Sequence, residues 1–327
     1  MGVSTRRRVL ATLAGAALSP LGLSRALAAP GLGEAPTLDP LLKPKTFEPT
    51  LRRRVLYVVI DRVEDGPMSY HQSNIHGVRT AVSAFDPTFE VVALTVTDLA
   101  GMDAALLDAT YQPLAVFGAG SFTEWFMYAV DSSWRSRLDH YMGLLRTMKI
   151  PLVAVCGSHQ LVAIAFNGFS AVAHMTDHGA PVRVSEELAA PKPRGMWPWP
   201  RVGEEGNYPV LATQAGLLDP IVKASGTAPV AASHHKDMVV DTSGFTLLYQ
   251  GDESRTPATT AGEQVKVRCR VQGMRLDDPT RLLYSTQFHP EMRGFDESTT
   301  DDKGFGVKWL HAFLREAQAF WAAKKPA

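Results

Sequence analysis

Short apolar runs alternate with longer amphipathic stretches over the first half of the chain. Four of the runs are rich in β-branched and other apolar residues and lie at residues 53–61, 89–96, 111–121 and 151–155. Continuous apolar runs of this length are typical of strands that are buried on both faces of a sheet. Between them, residues 70–84 and 133–149 have apolar positions at helical spacing. Strands that alternate with helices predict an α/β fold with a doubly wound, mostly parallel sheet.

The second half of the chain has a different pattern. Residues 175–210 are rich in Pro, Gly and Trp, which predicts a long excursion from the sheet. Segments of β type follow at residues 244–250, 264–274 and 281–288, and residues 306–323 have the pattern of a terminal helix. We therefore expect further strands and one more helix around the same core.

The N-terminus resembles an export signal. Arginines at positions 6–8 precede a moderately apolar run that ends at Ala26-Leu27-Ala28, a small-x-small cleavage pattern. Residues 5–10, TRRRVL, resemble the twin-arginine signal, so the export machinery that reads this signal is an expected partner. We expect three segments: a signal peptide at 1–28, a Pro/Gly-rich linker or arm at 29–50, and the folded domain at 51–327.

Composition restricts the classes of function. The 327 residues include 33 basic and 33 acidic ones, and this zero net charge argues against nucleic acid as a partner. Two cysteines, Cys156 and Cys269, are too few for a disulfide scaffold. The N-terminal apolar run is interrupted by Pro20 and is too short to span a bilayer, so we expect no stable membrane insertion. We expect a protein that is soluble after cleavage, in the periplasm or outside the cell.

One predicted strand ends on a cysteine. In PLVAVCGSHQLVA, residues 151–163, the apolar run stops at Cys156, and a predicted helix begins directly after Gly157. A strand, a tight turn that bears a nucleophile and then a helix form a nucleophile elbow. The amino end of the helix would stabilise a thiolate at this position. The same pattern also fits a buried, inert cysteine.

A second stretch favours the reactive cysteine. In YSTQFHPEM, residues 284–292, His289 and Glu291 come just after a predicted strand. A cysteine nucleophile needs a base, and the base needs an acceptor that orients it. Alternate residues of an extended chain share a face, so His289 and Glu291 can fill these two roles.

Together the two stretches resemble the motifs G-[IV]-C-x-G-[HM]-Q and Q-F-H-P-E of the class I glutamine amidotransferases. The sequence has AVCGSHQ and QFHPE in the same order and departs at two glycines, which are Ala154 and Ser158 here. The resemblance implies a flavodoxin-like, three-layer α/β/α sandwich and a catalytic triad of Cys156, His289 and Glu291. It also implies that no metal or organic cofactor is needed.

The resemblance extends to the oxyanion hole. In the family, one backbone N–H comes from a glycine turn after the third strand, and the other from the amide that follows the cysteine. The stretch VFGAGSF, residues 116–122, looks like that turn. Gly118 or Ala119, together with Gly157, are therefore the expected donors.

Three further residues are implied as substrate-binding. Gln160 matches the family glutamine that helps to hold the glutamyl part, and SHHKDMV, residues 233–239, resembles the SH-x-D-x-V loop through His235 and Asp237. The same stretch resembles S-x-HHQ of the γ-glutamyl hydrolases in this superfamily, with Lys236 in place of the glutamine. An exposed polar turn remains the alternative for this stretch.

Other residues have weaker patterns. His71 and His76 follow the first strand, where a substrate contact is one option. His174 and His178 have a spacing that can hold a metal on a helix, but no third ligand is evident. Two tryptophans of the excursion could cap a pocket or pack within it, namely Trp197 and Trp199. Cys269 is expected to be a buried strand thiol.

Three classes of function follow from these observations. The first is a stand-alone hydrolase of γ-glutamyl amines, γ-glutamyl peptides or glutamine, and it is favoured by the export signal and by the expectation that no synthetase is fused to the domain. The second is a glutaminase subunit that supplies ammonia to a synthetase. The third is a binding protein of the same fold, which the intact Cys-His-Glu set disfavours.

Overall fold

The computed structural model describes most of the predicted folded domain. The described residues are 53–62, 68–97, 103, 113–175, 181–190, 203–251, 269–292 and 304–324. The predicted signal peptide and linker lie outside these residues and stay predictions, and the same holds for the possible roles of His178, Trp197 and Trp199.

Strands and helices alternate in the first half of the domain, as predicted. The elements are β1 (Arg54–Val59), α1 (Met68–Phe85), β2 (Glu90–Thr95), β3 (Ala115–Gly118), α2 (Met127–Val130), α3 (Ser132–Thr147), β4 (Leu152–Val155) and α4 (Gly157–Asn167). Asp131 caps α3 by accepting a hydrogen bond from the backbone N–H of Trp134, which fixes where that helix begins.

The second half is dominated by strands. Its elements are β5 (Val172–His174), β6 (Val182–Arg183), α5 (Val184–Ala189), β7 (Glu204–Ala212), α6 (Pro220–Ser225), β8 (Val230–His235), β9 (Asp237–Val239), β10 (Phe245–Gly251), β11 (Val271–Leu276), β12 (Leu283–Thr286) and α7 (Phe305–Ala323). Within the predicted excursion, β6, α5 and the first part of β7 are regular structure. Strands β6, β5 and β9 form a separate three-stranded sheet.

The large sheet has nine strands in the order β2-β1-β3-β4-β12-β11-β10-β7-β8. The first five strands are parallel neighbours, and the remaining pairs are antiparallel. The carboxyl ends of parallel strands meet at one edge, where α/β proteins bind their ligands. The residues that follow β1, β3, β4 and β12 are therefore brought together.

Apolar side chains cover both faces of this sheet. One core cluster includes Leu56 and Val58 of β1 and the inner faces of α3 and α4. The other includes Val55 and Tyr57 of the same strand and the inner faces of α1, α6 and α7. Successive residues of β1 thus enter opposite layers, and the predicted α/β/α sandwich is confirmed. In the part of the chain described here, no helix combines the length and the apolar character needed to cross a membrane.

Candidate active site

Cys156 lies between β4 and α4 in a strained backbone conformation. Its φ is 51° and its ψ is −111°, and among the described residues other than glycine it alone has a positive φ. The Cys156 N–H donates to the Thr286 carbonyl at 2.8 Å, and the Cys156 carbonyl accepts from the Gln160 N–H at 3.0 Å. These bonds to β12 and α4 hold the sharp turn of a nucleophile elbow, where backbone strain is found at functional sites.

His289 and Glu291 lie beside this cysteine. The His289 Nδ1–H donates to Glu291 Oε1 at 2.8 Å, and the His289 side chain is hydrogen-bonded to the Cys156 side chain. Both residues are buried. Burial by itself disfavours a charged imidazole, but the negative charges of Glu291 and Cys156 outweigh it and raise the pKa of His289 to about 10. The structure therefore brings the predicted triad together in an arrangement that favours a charged imidazole at His289.

The position of His289 depends on strand pairing as well as on its own segment. Its backbone N–H donates to the Ala232 carbonyl of β8 at 2.8 Å. The Cys156 thiol also has a contact with β8, because its Sγ lies 3.5 Å from the His234 carbonyl oxygen. The base and the nucleophile are thus both held against β8.

The predicted oxyanion donors need a correction. The Ala119 N–H donates to the Val58 carbonyl at 2.9 Å, so it is not available to a substrate. Gly118 is inside β3 and is paired with Val58 and Ala154 on its two sides. The next amides along the chain, those of Gly120 and Ser121, replace them as candidates.

Ser121 lies directly against the elbow. A Cβ on Gly157 would be 2.7 Å from the Ser121 backbone nitrogen, and closer still to the Ser121 Cβ. A side chain at position 157 would therefore clash with Ser121, so the close contact between these two segments requires glycine at 157. The Gly157 N–H is one of the first amides of α4, which have no acceptor within the helix. The amides of Ser121 and Gly157 are therefore the candidate oxyanion donors.

A cleft of about 210 Å³ opens beside these groups. It is bounded by residues from the β3–α2 connection, α4, β7 and the β8–β9 turn, namely Ser121, Phe122, Thr123, Glu124, Trp125, Gln160, Glu205, His234, His235, Lys236 and Asp237. It contains Ser121, which lies against Gly157, and His234, whose carbonyl oxygen contacts the Cys156 sulfur, so it is the candidate substrate cleft. A larger cleft of about 630 Å³ contacts His289 and Glu291 but none of the residues around the sulfur.

Gln160, predicted to help hold the glutamyl part of the substrate, lines the cleft, but its amide is used within the protein. Its Oε1 accepts from the Trp125 indole N–H at 3.1 Å, and its Nε2 donates to the Asp237 carbonyl at 3.0 Å and to Gln287 Oε1 at 3.4 Å. Gln160 thus connects α4 to Trp125 and to Asp237, which lie on two other walls of the cleft.

The side chains of His235 and Asp237 also bind other protein groups. The His235 Nε2–H donates to the buried Glu204 Oε2 at 3.0 Å. The Asp237 carboxylate accepts from Nδ1–H of His174, and Glu187 Oε2 accepts from Nε2–H of the same ring at 2.7 Å. In this structure both predicted substrate residues line the cleft while their ionisable groups stabilise its walls.

The remaining candidates are distributed as follows. His71 is buried with its Nε2 2.8 Å from Asp61 Oδ2, His76 is exposed on α1, and neither lines the cleft beside the elbow. His174 is held by its two carboxylates, and no group of three metal-ligating side chains occurs among the described residues. Cys269 is buried as predicted, but it precedes β11 instead of lying within a strand. Sequence reasoning missed Asp61 and Ser121, although Asp61 comes just after β1 at the functional edge of the sheet.

The fold and the elbow define an α/β sandwich with a cysteine at the sheet edge. Neither a protein-family model nor a curated protein matches the chain. Solved structures do match: a protein assigned to GMP synthase, as one of its subunits, from Thermoplasma acidophilum has a TM-score of 0.52 and 17% identity, over 84% of this chain and 100% of that chain. The glutaminase domain of CTPS from Trypanosoma brucei, with bound acivicin, has a TM-score of 0.52 and 15% identity, over 80% of this chain and 94% of that chain. The chain has the fold of the class I glutamine amidotransferases.

Proposed function

We propose that the protein is a cysteine-dependent amidohydrolase that cleaves a γ-glutamyl amide bond through a thioester. The substrate is a γ-glutamyl amine, a γ-glutamyl peptide or glutamine. The observation that carries this proposal is the buried set of Cys156, His289 and Glu291, in which His289 contacts both the sulfur and the carboxylate. The glutaminase fold of the structural neighbours supports the coarser part of it, hydrolysis of a glutamine-type amide.

The reaction follows from the contacts that His289 makes with the sulfur and with Glu291. The Cys156 thiolate attacks the γ-carbonyl carbon, a C–S bond forms, and the carbonyl oxygen becomes an oxyanion that accepts from the amides of Gly157 and Ser121. The His289 imidazolium donates its proton to the leaving nitrogen, so ammonia or an amine departs and the thioester remains. The imidazole then takes a proton from water, which attacks the thioester and releases the acid. Glu291 orients the ring and stabilises its charged form.

The charges of the cleft suit a γ-glutamyl group. Lys236 Nζ lies 3.9 Å from Glu205 Oε1, and both side chains are partly exposed at the cleft. A long ion pair of this kind contributes little to stability, so a ligand can replace it at small cost. A free α-carboxylate would pair with Lys236 and an α-ammonium with Glu205, and γ-glutamyl compounds carry both groups.

The finer part of the proposal is that the enzyme acts alone and is exported. The twin-arginine pattern and the cleavage pattern near the N-terminus support export. The nucleotides needed for amide synthesis are cytoplasmic, so an exported enzyme has no synthetase to feed. Mass spectrometry of the protein purified from its host tests this part, and a start near Ala29 in an envelope or external fraction is the expected result. An intact start at Met1 or Gly2 in a cytoplasmic fraction would contradict it.

The decisive experiment is a substrate screen on the purified mature protein. Amine or ammonia release is measured from glutamine, γ-glutamyl amines and γ-glutamyl peptides, with Cys156→Ala as the inactive control. We expect release from at least one γ-glutamyl amine or peptide at a higher kcat/KM than from glutamine. Activity that requires a second protein, or a preference for glutamine, would favour a glutaminase that supplies a synthetase. Binding without any turnover would favour the binding-protein alternative.

A further inference from the structure

The carboxylate of Asp61 joins the end of β1 to the turn that follows β3. Its Oδ1 accepts from the Ser121 hydroxyl, from the Phe122 N–H at 2.8 Å and from the Thr123 N–H at 2.9 Å. Its Oδ2 accepts from the His71 Nε2–H at 2.8 Å. The carboxylate is almost completely buried, with an exposed fraction of 2% for the side chain.

The turn held by Asp61 is the one that carries the Ser121 amide, the second candidate oxyanion donor. Ser121 donates its hydroxyl to Asp61, and its backbone nitrogen lies close to Gly157, 2.7 Å from where a Cβ of that residue would be. A neighbouring bond strengthens the connection between the two segments, since the Arg62 N–H donates to Thr123 Oγ1 at 2.9 Å. Without the carboxylate, the amides of Phe122 and Thr123 would lose the oxygen that both contact, and the Thr123 N–H would keep only the Ser121 hydroxyl oxygen at 3.2 Å. Lost acceptors for amides of this kind are costly.

We propose that Asp61 is the positioning residue of the oxyanion hole: by accepting three hydrogen bonds from residues 121–123, it orients the Ser121 amide toward the oxygen of a substrate on Cys156. His71 holds the second oxygen of Asp61, so the carboxylate cannot rotate away from the turn. This inference rests on the proposed function, because it concerns a tetrahedral intermediate at the same cysteine. It implies that the hole is formed within a single chain.

Two reactions of the Cys156 thiolate distinguish an effect on the oxyanion hole from an effect on the reactivity of the sulfur itself. With p-nitrophenyl acetate, the thiolate attacks the carbonyl carbon, a C–S bond forms and the carbonyl oxygen becomes an oxyanion. The oxyanion then collapses, the C–O bond to the aryl group breaks, and nitrophenolate leaves an acetyl thioester on Cys156. With iodoacetamide, the thiolate displaces iodide from a methylene carbon, and no oxyanion forms. A defect in the hole slows the first reaction only. Neither reagent needs the γ-glutamyl part of the cleft.

The test compares four variants with the wild-type protein. Asp61→Ala removes all acceptors, Asp61→Asn keeps one oxygen for the turn, and Ser121→Ala removes one bond but keeps the amide. Asp278→Ala is the matched control, because Asp278 accepts from the N–H and hydroxyl of Thr280 in an exposed turn. Acylation is followed by the nitrophenolate burst and by the mass of the acetylated protein, and alkylation by the mass of the carbamidomethylated protein.

Deletion of a single oxyanion donor typically costs 10²–10³ in rate, and displacement of one should cost less. We expect Asp61→Ala to slow acylation by about 10–100-fold and alkylation by less than about 3-fold. Asp61→Asn and Ser121→Ala should slow acylation by a smaller factor in the same selective way, and Asp278→Ala should change neither rate. If Asp61→Ala does not fold, the rates of Asp61→Asn and Ser121→Ala test the inference.

Equal losses in the two reactions, or unchanged acylation in all three site variants, would overturn the inference. Failure of the proposed function has a different outcome: the wild-type protein would release no amine from γ-glutamyl substrates, whatever its rate with p-nitrophenyl acetate. A selective acylation defect would still assign Asp61 its role in that case, because the ester reports on the oxyanion alone.

Discussion

The Ser158 hydroxyl donates a 2.5 Å hydrogen bond to the Ala119 carbonyl, so the helix of the elbow is tied directly to the end of β3. Class I glutamine amidotransferases have a glycine where this chain has Ser158, according to the motif that the sequence resembles. The added side chain uses space that only a glycine at 118 leaves, because a Cβ at 118 would lie 2.9 Å from the Ser158 Cβ and 3.0 Å from its Oγ. The two positions are therefore coupled.

This coupling predicts the outcome of a double-mutant cycle. Gly118→Ala should lower the free energy of unfolding by about 1–3 kcal/mol, as overpacking of a core does, and Ser158→Gly in the same chain should recover part of that loss. Gly143→Ala is the control, because nothing lies near a Cβ at this helical position and the change should be neutral or stabilising. Chemical denaturation measures the stabilities of the wild type, the two single variants, the double variant and the control. Additive losses would show that the two positions are independent.

Cys156 should be indispensable for turnover and unfavourable for stability. Cys156→Ala should abolish activity, and Cys156→Gly should be equally inactive but more stable than Cys156→Ala by about 1 kcal/mol, because glycine adopts a positive φ without strain. Iodoacetamide should label Cys156 faster than Cys269, since burial and then the charge of Glu204 raise the pKa of the Cys269 thiol. An active Cys156→Ala protein or equal labelling would contradict the triad assignment.

The pKa of His289 predicts a pH-dependent contribution to stability. Its folded pKa of about 10 is above the usual value of 6.5, so the folded state binds the proton more tightly than the unfolded state does. The resulting stabilisation is fully present below about pH 6.5 and is lost as the pH rises through about 10. Glu291→Gln removes the first of the two charges that raise this pKa.

The stability difference between the wild type and Glu291→Gln should therefore shrink as the pH rises from 7 to 10. Urea denaturation at several pH values measures it, and an NMR titration of the imidazole should show a lower pKa in the variant. Glu316→Gln, on α7, serves as the control. A constant difference across this range would mean that Glu291 does not stabilise the charged ring.

His174 between Glu187 and Asp237 allows the structural role of Asp237 to be separated from a role in binding. Each carboxylate accepts from one ring nitrogen, so Glu187→Gln and Asp237→Asn should each lower the free energy of unfolding, by about 2–4 kcal/mol. Both should leave KM within a few-fold of the wild type. If Asp237→Asn raises KM far more than Glu187→Gln does, Asp237 contacts the substrate, as the sequence motif implies.

The parallel half of the sheet could be predicted because strands buried on both faces have continuous apolar runs. Strand β7 was missed because Gly206, Asn207 and Pro209 interrupt its pattern, and its pairing with β8 and β10 is not visible in its own residues. The Cys-His-Glu set could be predicted from two short contiguous motifs.

The oxyanion amide could not be predicted in the same way. Its identity depends on which N–H groups are already bound, and Ala119 is excluded only by its hydrogen bond to Val58, 61 positions earlier in the chain. The roles of Asp61 and His235 depend equally on distant partners. Local sequence shows that such residues are near the site but does not show which direction their polar atoms face.

Lys236 is expected to bind the α-carboxylate of the substrate, and a truncated substrate tests this directly. For the wild type, 4-aminobutyramide-type substrates without the α-carboxylate should have a KM about tenfold higher than the matching γ-glutamyl amide. One charge-assisted hydrogen bond contributes about 1.5–3 kcal/mol, and solvent screening at this partly exposed site reduces that value.

Lys236→Met should raise KM for the full substrate by a similar factor with little change in kcat, because the bond is made equally in the ground state and in the transition state. The same variant should show no further loss with the truncated substrate. Lys223→Met, on α6 and outside the cleft, should behave like the wild type with both. If Lys236→Met leaves the KM difference between the two substrates unchanged, the α-carboxylate lies elsewhere, and the ion pair of Lys236 with Glu205 only shapes the rim of the cleft.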